Sequence, residues 1–409
     1  MTKYHKREIT KAIIQVIKEM PVVVITGMRQ SGKSTLLQKD PILKHRKYIS
    51  LDDFEILEAA QKAPEQLLNT DELITIDEIQ KAPQLFPIIK KIVDKKRIPG
   101  QFILSGSANL TLLKGVSETL AGRAVYMTLQ PMNRREIMQK VDKNPFLFDF
   151  LENKKISTKN QVKVIDNKEI IIGGMPSIAL NEIKNQIIWF KGYEQTYLER
   201  DVREITKISD IIGFRNLLHL TALRTSQILN QTELGRDVKM NTTTINRYFS
   251  LFEMSFLVSR LNAFYFSKNT RLIKSPKIFI SDSGLASYLT GVDIKDNYNK
   301  IPFFGALFEN FIFQNILSLI TSRWEVNIRL FYWNIQGRYE VDFILEYKQQ
   351  LIAIEIKQGT QWRNKDLKGL KQFIEKHPNC DLGILAYNGE EIVNLGDNIW
   401  VIPLGLLLS

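Results

Sequence analysis

Short apolar runs rich in valine, isoleucine and leucine recur through the first third of the chain. They cover residues 22–25, 73–76 and 102–104, and glycine, serine or acidic residues follow them. Runs of this length and β-branched content are typical of buried strands, and the segments between them carry apolar residues at helical spacing. The pattern therefore predicts an α/β fold for this part of the chain.

The segment from residue 226 to residue 266 has a different pattern. Apolar residues at helical spacing lie on both sides of a short turn at residues 239–241, and a strand pair follows. This order predicts a winged helix-turn-helix, in which Thr243, Asn246 and Arg247 on the second helix are candidate contacts to DNA in the major groove. The alternative is a winged helix that serves only for packing.

Near the C-terminal end, residues 329–357 read as three strands that are joined by tight turns around Gly337 and Gln349. Side chains alternate between the two faces of a strand, so the sequence EIK places Glu355 and Lys357 on the same face. The alternation thus predicts a sheet face that carries a carboxylate beside a lysine.

Composition adds three expectations. With 409 residues and 44% hydrophobic content, the chain can bury large cores, and its length suggests about two to four domains. The net charge of +12 favours a polyanionic partner such as DNA, because lysine and arginine displace the counterions condensed on nucleic acid. One cysteine, Cys380, excludes an internal disulfide, and the four scattered histidines do not predict structural zinc.

Targeting signals are not evident. The chain has no uninterrupted apolar run of about 18 residues, and its polar start, MTKYHKREITK, differs from a signal peptide. We therefore expect a cytoplasmic location and no membrane partner.

A glycine-rich motif follows the first apolar run. Residues 27–35, GMRQSGKST, match GxxxxGK[ST], in which glycines let backbone N–H groups surround phosphate oxygens at a helix N-terminus. Lys33 would neutralise the β and γ phosphates of ATP, and Ser34 would ligate Mg²⁺. The candidate nucleotide contacts are Gly27, Arg29, Gln30, Ser31, Gly32, Lys33, Ser34, Thr35, Asp77 and Ser105.

The second apolar run ends in two adjacent carboxylates. Asp77 fits the Walker B ligand of Mg²⁺, and Glu78 fits the catalytic base that polarises the attacking water. The alternative is an acidic cap on a following helix.

Six short motifs, GMRQSGKST, LITIDEIQKAP, LSGS, LAGRA, GGMPS and YLERDV, occur in this order along the chain. With them the sequence resembles, over almost its whole length, a bacterial and archaeal group of AAA-type P-loop ATPases. That group carries a C-terminal domain of unknown function with a restriction-endonuclease-like end. The resemblance implies a polar sensor of the γ-phosphate at Ser105 or Ser107. Arg123 in LAGRA is a candidate arginine finger in trans, a residue acting in cis, or a surface cation.

The C-terminal strands fit the same resemblance. Asp342 followed by Glu355 and Lys357 is the D…ExK arrangement of the PD-(D/E)XK nuclease fold, in which carboxylates hold Mg²⁺ or Mn²⁺ and the lysine orients or deprotonates water. Glu309, a lone acid on an apolar helix, is a candidate third metal ligand. The alternative is a nuclease-like domain that only binds, with Glu309 paired to Lys357.

The expected organisation has four parts: an AAA-type ATPase core (1–135), a helical lid or connector (136–210), a winged helix-turn-helix (211–275) and a restriction-endonuclease-like α/β domain (276–409). We expect an ATP-hydrolysing homo-oligomer that processes DNA in repair, recombination or defence, with branched DNA as one candidate substrate. The alternative is an ATP-dependent switch or scaffold whose nuclease-like domain binds nucleic acid or a protein partner.

Overall fold

The computed structural model describes residues 4–106, 116, 118–154, 162–197, 210–335 and 337–409. These residues form two compact units. The first unit comprises Met1–Met132, Met175–Ile211 and Arg247–Leu257, and the second comprises Asn133–Gly174, Ile212–Asn246 and Val258–Ser409. The chain therefore enters each unit more than once, and the four-part division along the sequence stays a prediction.

The strands of the described residues are β1 (Val22–Thr26), β2 (Lys47–Ser50), β3 (Ile74–Asp77), β4 (Phe102–Ser105), β5 (Ala124–Thr128), β6 (Gln227–Ile228), β7 (Val258–Leu261), β8 (Lys277–Ile280), β9 (Arg329–Ile335), β10 (Tyr339–Tyr347), β11 (Gln350–Lys357), β12 (Cys380–Tyr387), β13 (Val393–Asn394) and β14 (Ile399–Pro403). The α-helices are α1 (Ile9–Val16), α2 (Lys33–Lys39), α3 (Phe54–Lys62), α4 (Pro64–Leu67), α5 (Leu85–Lys95), α6 (Arg134–Ile137), α7 (Phe146–Asn153), α8 (Asn167–Ile172), α9 (Pro176–Ala179), α10 (Gln186–Thr196), α11 (Ile211–Leu223), α12 (Gln231–Asp237), α13 (Thr242–Met254), α14 (Lys268–Ile273), α15 (Ser283–Leu289), α16 (Phe304–Thr321), α17 (Lys368–Lys376) and α18 (Leu404–Leu407).

A parallel sheet in the order β2-β3-β4-β1-β5 forms the centre of the first unit. In β1, Val22 and Val24 pack into one apolar cluster, whereas Val23 and Ile25 pack into another. Successive side chains of a strand point to opposite faces, so both faces of this sheet are covered. This arrangement confirms the buried strands that the apolar runs predict.

A mixed sheet in the order β13-β14-β12-β11-β10-β9 lies in the second unit. Its strands β9, β10 and β11 form an antiparallel meander, as the alternation of residues 329–357 predicts, and β12 and β14 continue parallel to β11. The turn between β10 and β11 has Lys348 at φ 45° and Gln349 at φ 68°, the left-handed pair of a tight hairpin. Helix α17 contributes Leu370 and Phe373 to the core of this sheet.

A smaller antiparallel sheet has the order β6-β8-β7. The chain passes through α11, β6, α12, α13 and β7 before it reaches β8, and α12 and α13 are separated by residues 238–241. The short turn between the two helices therefore lies where the sequence indicates. The winged helix-turn-helix itself stays a prediction.

Helix α16 is long and apolar enough to cross a membrane by length and composition, and 67% of it is buried inside the protein. Its polar side chains also have internal partners. Asn310 accepts a hydrogen bond from Ile280 N and donates one to Ile280 O, each at 2.9 Å, and Gln314 accepts one from Ser283 N at 2.9 Å. These bonds satisfy the end of β8 and the start of α15, which is the role of a core helix in a folded unit.

Arg46 ties the amino ends of three strands of the first sheet together. Its Nη2 donates to the carbonyls of Ile74 (2.8 Å), Gly100 (2.7 Å) and Gln101 (3.0 Å), and its Nε donates to Thr75 Oγ1 (3.0 Å). Burial lowers the pKa of Arg46 to about 10, which still leaves the guanidinium charged at neutral pH. One buried cation thus satisfies several acceptors.

Arg46→Met is expected to destabilise the first unit by about 2–3 kcal/mol, because it leaves buried carbonyls without a donor. Differential scanning calorimetry of the full chain should show a lower midpoint for the corresponding transition. Lys44→Met is the matched control, since Lys44 is exposed and lies two residues before Arg46. Equal midpoints for the two variants would contradict this role of Arg46.

Candidate functional site

The carboxyl end of the first sheet gathers the sequence-predicted nucleotide residues. The strands are parallel, so Gly27 after β1, Asp77 at the end of β3 and Ser105 at the end of β4 share one edge. A cavity of about 1040 Å³ opens at this edge. Its lining includes Arg7, Arg29, Gln30, Gly32, Lys33, Ser34, Thr35, Glu78 and Trp189.

The glycine loop has a backbone that other residues would not adopt easily. Gly32 stands at φ 97° directly before α2, and Gly27 stands at φ 141°. A Cβ on Gly27 would lie 2.3 Å from the carbonyl oxygen of Leu129, closer than atoms can approach. Ser31 is fully buried in this loop. The loop therefore has the close-packed, glycine-dependent form that cradles a phosphate.

Lys33 is held against the loop that it follows. Its Nζ donates to the carbonyls of Gly27 and Met28, each at 3.0 Å, and the side chain is buried. The ammonium thus lies beside the glycine loop, where a phosphate would be neutralised.

Asp77 is oriented by two hydroxyl groups. Ser105 Oγ donates to Asp77 Oδ1 at 2.6 Å, and Tyr48 donates its phenol proton to Asp77 Oδ2. Burial, and then the neighbouring carboxylate, raises the pKa of Tyr48. The sequence motifs do not reveal Tyr48, which the pairing of β2 with β3 brings to this position.

Glu78 follows Asp77 in a left-handed conformation with φ 57°. Its N–H donates to Asp77 Oδ1 at 3.2 Å, and the amide of Gln80 donates to its carboxylate. Burial raises the pKa of Glu78, the charge of Asp77 adds to the rise, and Lys33 opposes it. A strained residue with a raised pKa on a cavity wall has the properties of a catalytic base.

Arg7 is a further residue of this cavity that no sequence motif indicates. Its guanidinium donates to Ser31 O at 2.8 Å and to Gln130 O at 2.6 Å, and the side chain is 4% exposed. It therefore braces the glycine loop from the segment that precedes α1. The polar N-terminal segment gives no signal that would have identified it.

Arg123 is not among the described residues that line this cavity. It pairs with Asp94 on α5, with Nη2 at 3.0 Å from Oδ2, and its Nη1 donates to Ala121 O. Within one chain the structure does not bring Arg123 to Lys33 or Glu78. Ser107 and residues 198–202 of the YLERDV motif lie outside the described residues.

A second cluster of ionisable groups lies in the second unit. The predicted residues Glu309 on α16 and Asp342 on β10 both lie within 4 Å of one ammonium, that of Lys277, and the pairing of Phe343 with Ile354 brings Glu355 on β11 beside Asp342. Two further members of the cluster carry no signal in the sequence motifs. Glu340 on β10 joins the cluster, and Lys277 on β8 places Nζ 3.0 Å from Glu309 Oε1 and 3.8 Å from Asp342 Oδ1, and in contact with Glu340.

Burial dominates the electrostatics of this cluster. It raises the pKa of Glu309 to about 8, the pKa of Asp342, and the pKa of Glu355 well above its usual range, while Lys277 opposes each rise. Asp342 Oδ2 also accepts a hydrogen bond from Ile356 N at 2.8 Å. Glu355 Oε2 is buried without a hydrogen-bond partner.

Lys357 does not join these carboxylates. Its Nζ lies 2.9 Å from Asp366 Oδ1, and its side chain is 39% exposed. The alternative pairing of Glu309 with Lys357 is therefore wrong, because Lys277 takes that place. Among the residues that the structure describes, no group of three or more His, Cys, Asp or Glu side chains has the arrangement of a metal site.

The candidate DNA contacts on α13 are all exposed. Asn246 Oδ1 accepts a hydrogen bond from Gln231 Nε2 at 2.6 Å, and the Arg247 guanidinium lies 5.3 Å from the ring centroid of Tyr248. Thr243 is exposed near the start of the helix. Their exposure is compatible with either a DNA contact or a solvated helix surface.

The strand, glycine loop and helix, together with the acidic end of β3, define a P-loop nucleotide-binding domain. Residues 19–138 match a family model described as an AAA domain, so the chain carries an AAA-type ATPase domain. Two further models match, each described as a domain of unknown function: DUF8612 over residues 167–296 and DUF4143 over residues 304–407.

Similar proteins occur in bacteria and archaea. The uncharacterized protein Rv2008c of Mycobacterium tuberculosis is 26% identical over 99% of this chain and 85% of its own length. The uncharacterized protein MJ1544 of Methanocaldococcus jannaschii is 27% identical over 91% of this chain and 84% of its own length. Among solved structures, a Walker-type ATPase of Pyrococcus abyssi is 16% identical, with a TM-score of 0.43, over 69% of this chain and 94% of that one.

Proposed function

We propose that the protein is a Mg²⁺-dependent ATPase that uses nucleotide turnover to process DNA. The observation that carries the ATPase part is that Lys33 and Glu78 line one cavity at the sheet edge where Asp77 ends β3, beside a glycine loop that tolerates no Cβ at Gly27. The residues present fit a nucleoside triphosphate, since the loop offers backbone N–H groups and a buried ammonium.

Different side chains are proposed to bind phosphate, to hold Mg²⁺ and to activate water. Lys33 would neutralise phosphate charge, and Ser34 and Asp77 would hold Mg²⁺, with Tyr48 and Ser105 fixing the carboxylate of Asp77. Glu78 would orient the attacking water and take its proton. Bound ATP and Mg²⁺ would supply the phosphoryl group and the charge that stabilises its transfer.

Lys33→Ala is expected to weaken ATP binding about tenfold to a hundredfold, because it removes a charged hydrogen-bond donor from the phosphates. Glu78→Gln should keep binding and slow turnover about a hundredfold or more, because an amide accepts no proton. Equilibrium binding and steady-state phosphate release on the full chain separate the two effects. Wild-type turnover in Glu78→Gln would contradict the assignment of the base.

Arg123 is proposed as an arginine finger that completes the site of a neighbouring subunit, which makes the protein a homo-oligomer assembled or stabilised by ATP. Its pairing with Asp94, away from the cavity of its own chain, supports a role in trans.

Mixing Arg123→Ala chains with Lys33→Ala chains tests this assignment. Each variant damages a different half of a shared site, so mixed assemblies should regain part of the ATPase activity that each variant lacks alone. Arg97→Ala mixed with Lys33→Ala is a control for a nearby exposed arginine. Mixed assemblies verified by mass that regain no activity would contradict the finger in trans.

DNA binding is proposed from the charge of +12 and the exposed Thr243, Asn246 and Arg247 of a winged helix-turn-helix. Contacts to phosphates dominate in such an interface, so it should discriminate little between sequences. The C-terminal domain is proposed as a restriction-endonuclease-like domain that cleaves DNA with Mg²⁺ or Mn²⁺ at Glu309, Asp342 and Glu355. Lys357, which pairs with Asp366, is not part of this proposed centre.

Asp342→Ala and Glu355→Ala are expected to abolish cleavage in a panel of duplex, flapped, forked and four-way DNA, while ATPase activity is kept. Glu346→Ala is the control for cleavage, on the same strand as Asp342. No cleavage of any DNA by the wild type would remove the nuclease proposal.

The DNA affinity of the wild type should fall at least tenfold between low and moderate salt, because several counterions are released on binding. An affinity that does not depend on salt would contradict a contact to the DNA backbone.

A second candidate function is an ATP-dependent switch or scaffold whose C-terminal domain binds nucleic acid or a protein without cutting. The observation that favours it is the ammonium of Lys277 among the carboxylates, since a cation of the protein itself already compensates part of the negative charge that a metal would bind. ATPase activity stimulated by DNA without cleavage would support this candidate.

A further inference from the structure

Lys277 is one of the most buried lysines of the described residues, with 3% of its side chain exposed. Its position is fixed by the backbone, because β8 is the central strand of the smaller sheet. Lys277 pairs with Ile228 of β6 on one side and with Leu261 of β7 on the other. The lysine is therefore built into the fold rather than carried on a loop.

Aromatic packing aims the side chain. Lys277 and Phe279 stand two residues apart on β8, and Glu309 and Phe313 stand four residues apart on α16, so each pair shares a face. Phe279 stacks on Phe313 at a centroid distance of 4.0 Å, which places Lys277 opposite Glu309. The Nζ also lies 5.7 Å from the ring centroid of Tyr332. Stacked rings thus hold the ammonium in register with the acid.

The ammonium of Lys277 lies among carboxylates whose negative charge it partly compensates. Four carboxylates face it or each other. It contacts Glu309 and Glu340 directly and lies 3.8 Å from Asp342, and the side chains of these three acids are 18%, 42% and 14% exposed, respectively. Buried charges of one sign require a compensating cation. Glu355, whose buried Oε2 has no hydrogen-bond partner, is the carboxylate that Lys277 does not satisfy.

We propose that Lys277 is the resident cation of this cluster, and that its ammonium takes the place that a divalent metal would occupy between Glu309 and Asp342. The proposal deepens the function proposed above for the same carboxylates. Metal and Lys277 then exclude each other, and the wild-type chain takes up Mg²⁺ or Mn²⁺ at this cluster only when the lysine leaves it. Lys277 is a positioning residue in this scheme, not a catalytic one.

The test measures Mn²⁺ binding to the full chain by electron paramagnetic resonance, without nucleotide and without DNA. All proteins carry Asp77→Asn, so that the ATPase site lacks the carboxylate proposed to hold its metal. Lys277→Met should bind one Mn²⁺ per chain at least tenfold more tightly than the parent, and adding Asp342→Asn should abolish this gain. Lys357→Met, the matched control, should bind like the parent because Lys357 pairs with Asp366.

A second variant keeps the test informative if Lys277→Met does not fold. Lys277→Met with Glu340→Gln removes one carboxylate together with the lysine, and circular dichroism reports the fold of both variants. If either variant needs metal to fold, Mn²⁺ at millimolar concentration should raise its unfolding midpoint and leave that of Lys357→Met unchanged. A resident cation that a divalent metal can replace predicts this rescue.

Three outcomes would overturn the inference. They are equal Mn²⁺ affinity in the parent and in folded Lys277→Met, an equal gain in Lys357→Met, and variants that neither fold nor recover with Mn²⁺. Failure of the nuclease proposal is distinguishable from each. If Lys277→Met binds Mn²⁺ tightly but no DNA is cleaved, Lys277 is the resident cation and the nuclease proposal is wrong. If the wild type cleaves DNA but Lys277→Met does not change Mn²⁺ binding, the nuclease proposal stands and Lys277 is not the resident cation.

Discussion

Burying a carboxylate away from water costs several kcal/mol unless a cation or hydrogen-bond donors face it, and both candidate sites are built under this constraint. In the first unit, Asp77 accepts hydrogen bonds from two hydroxyl groups, and Glu78 lies close enough to Lys33 for the ammonium to oppose the rise of its pKa. In the second unit, a strand lysine faces the acids of a helix and of another strand. In the first unit the requirement is met by hydroxyl groups on neighbouring strands and by the first residue of α2, and in the second unit by a lysine inside a small sheet.

Local sequence patterns are sufficient to predict strands, tight turns and the glycine loop, because these features depend on residues that are close together in the chain. The apolar runs predicted β1, β3 and β4, and the glycine spacing predicted the loop before α2, because strand burial and left-handed turns are local demands. The meander of β9, β10 and β11 was predicted for the same reason.

Residues that reach a site from a distant segment of the chain could not be predicted from the sequence. Tyr48 reaches Asp77 through strand pairing, Arg7 reaches the glycine loop from before β1, and Lys277 reaches Glu309 from a separate sheet. No spacing in the sequence encodes these encounters, because tertiary packing creates them. Lys357 shows a different limit of prediction from sequence. The alternation of a strand predicts the face on which Lys357 lies, but it does not predict the ion pair that its long, flexible side chain forms with Asp366.

The interleaved path of the chain has a consequence for synthesis on the ribosome. The first unit includes Arg247–Leu257, which is translated after Asn133–Gly174 and after Ile212–Asn246 of the second unit. Domains made of one continuous segment can fold as soon as they emerge, whereas this unit has to wait for a segment near the middle of the chain. Its parallel sheet, complete by residue 128, therefore leaves the ribosome long before its last segment does. Translation speed through residues 133–257 sets how long that nascent sheet stays exposed to chaperones and to other chains.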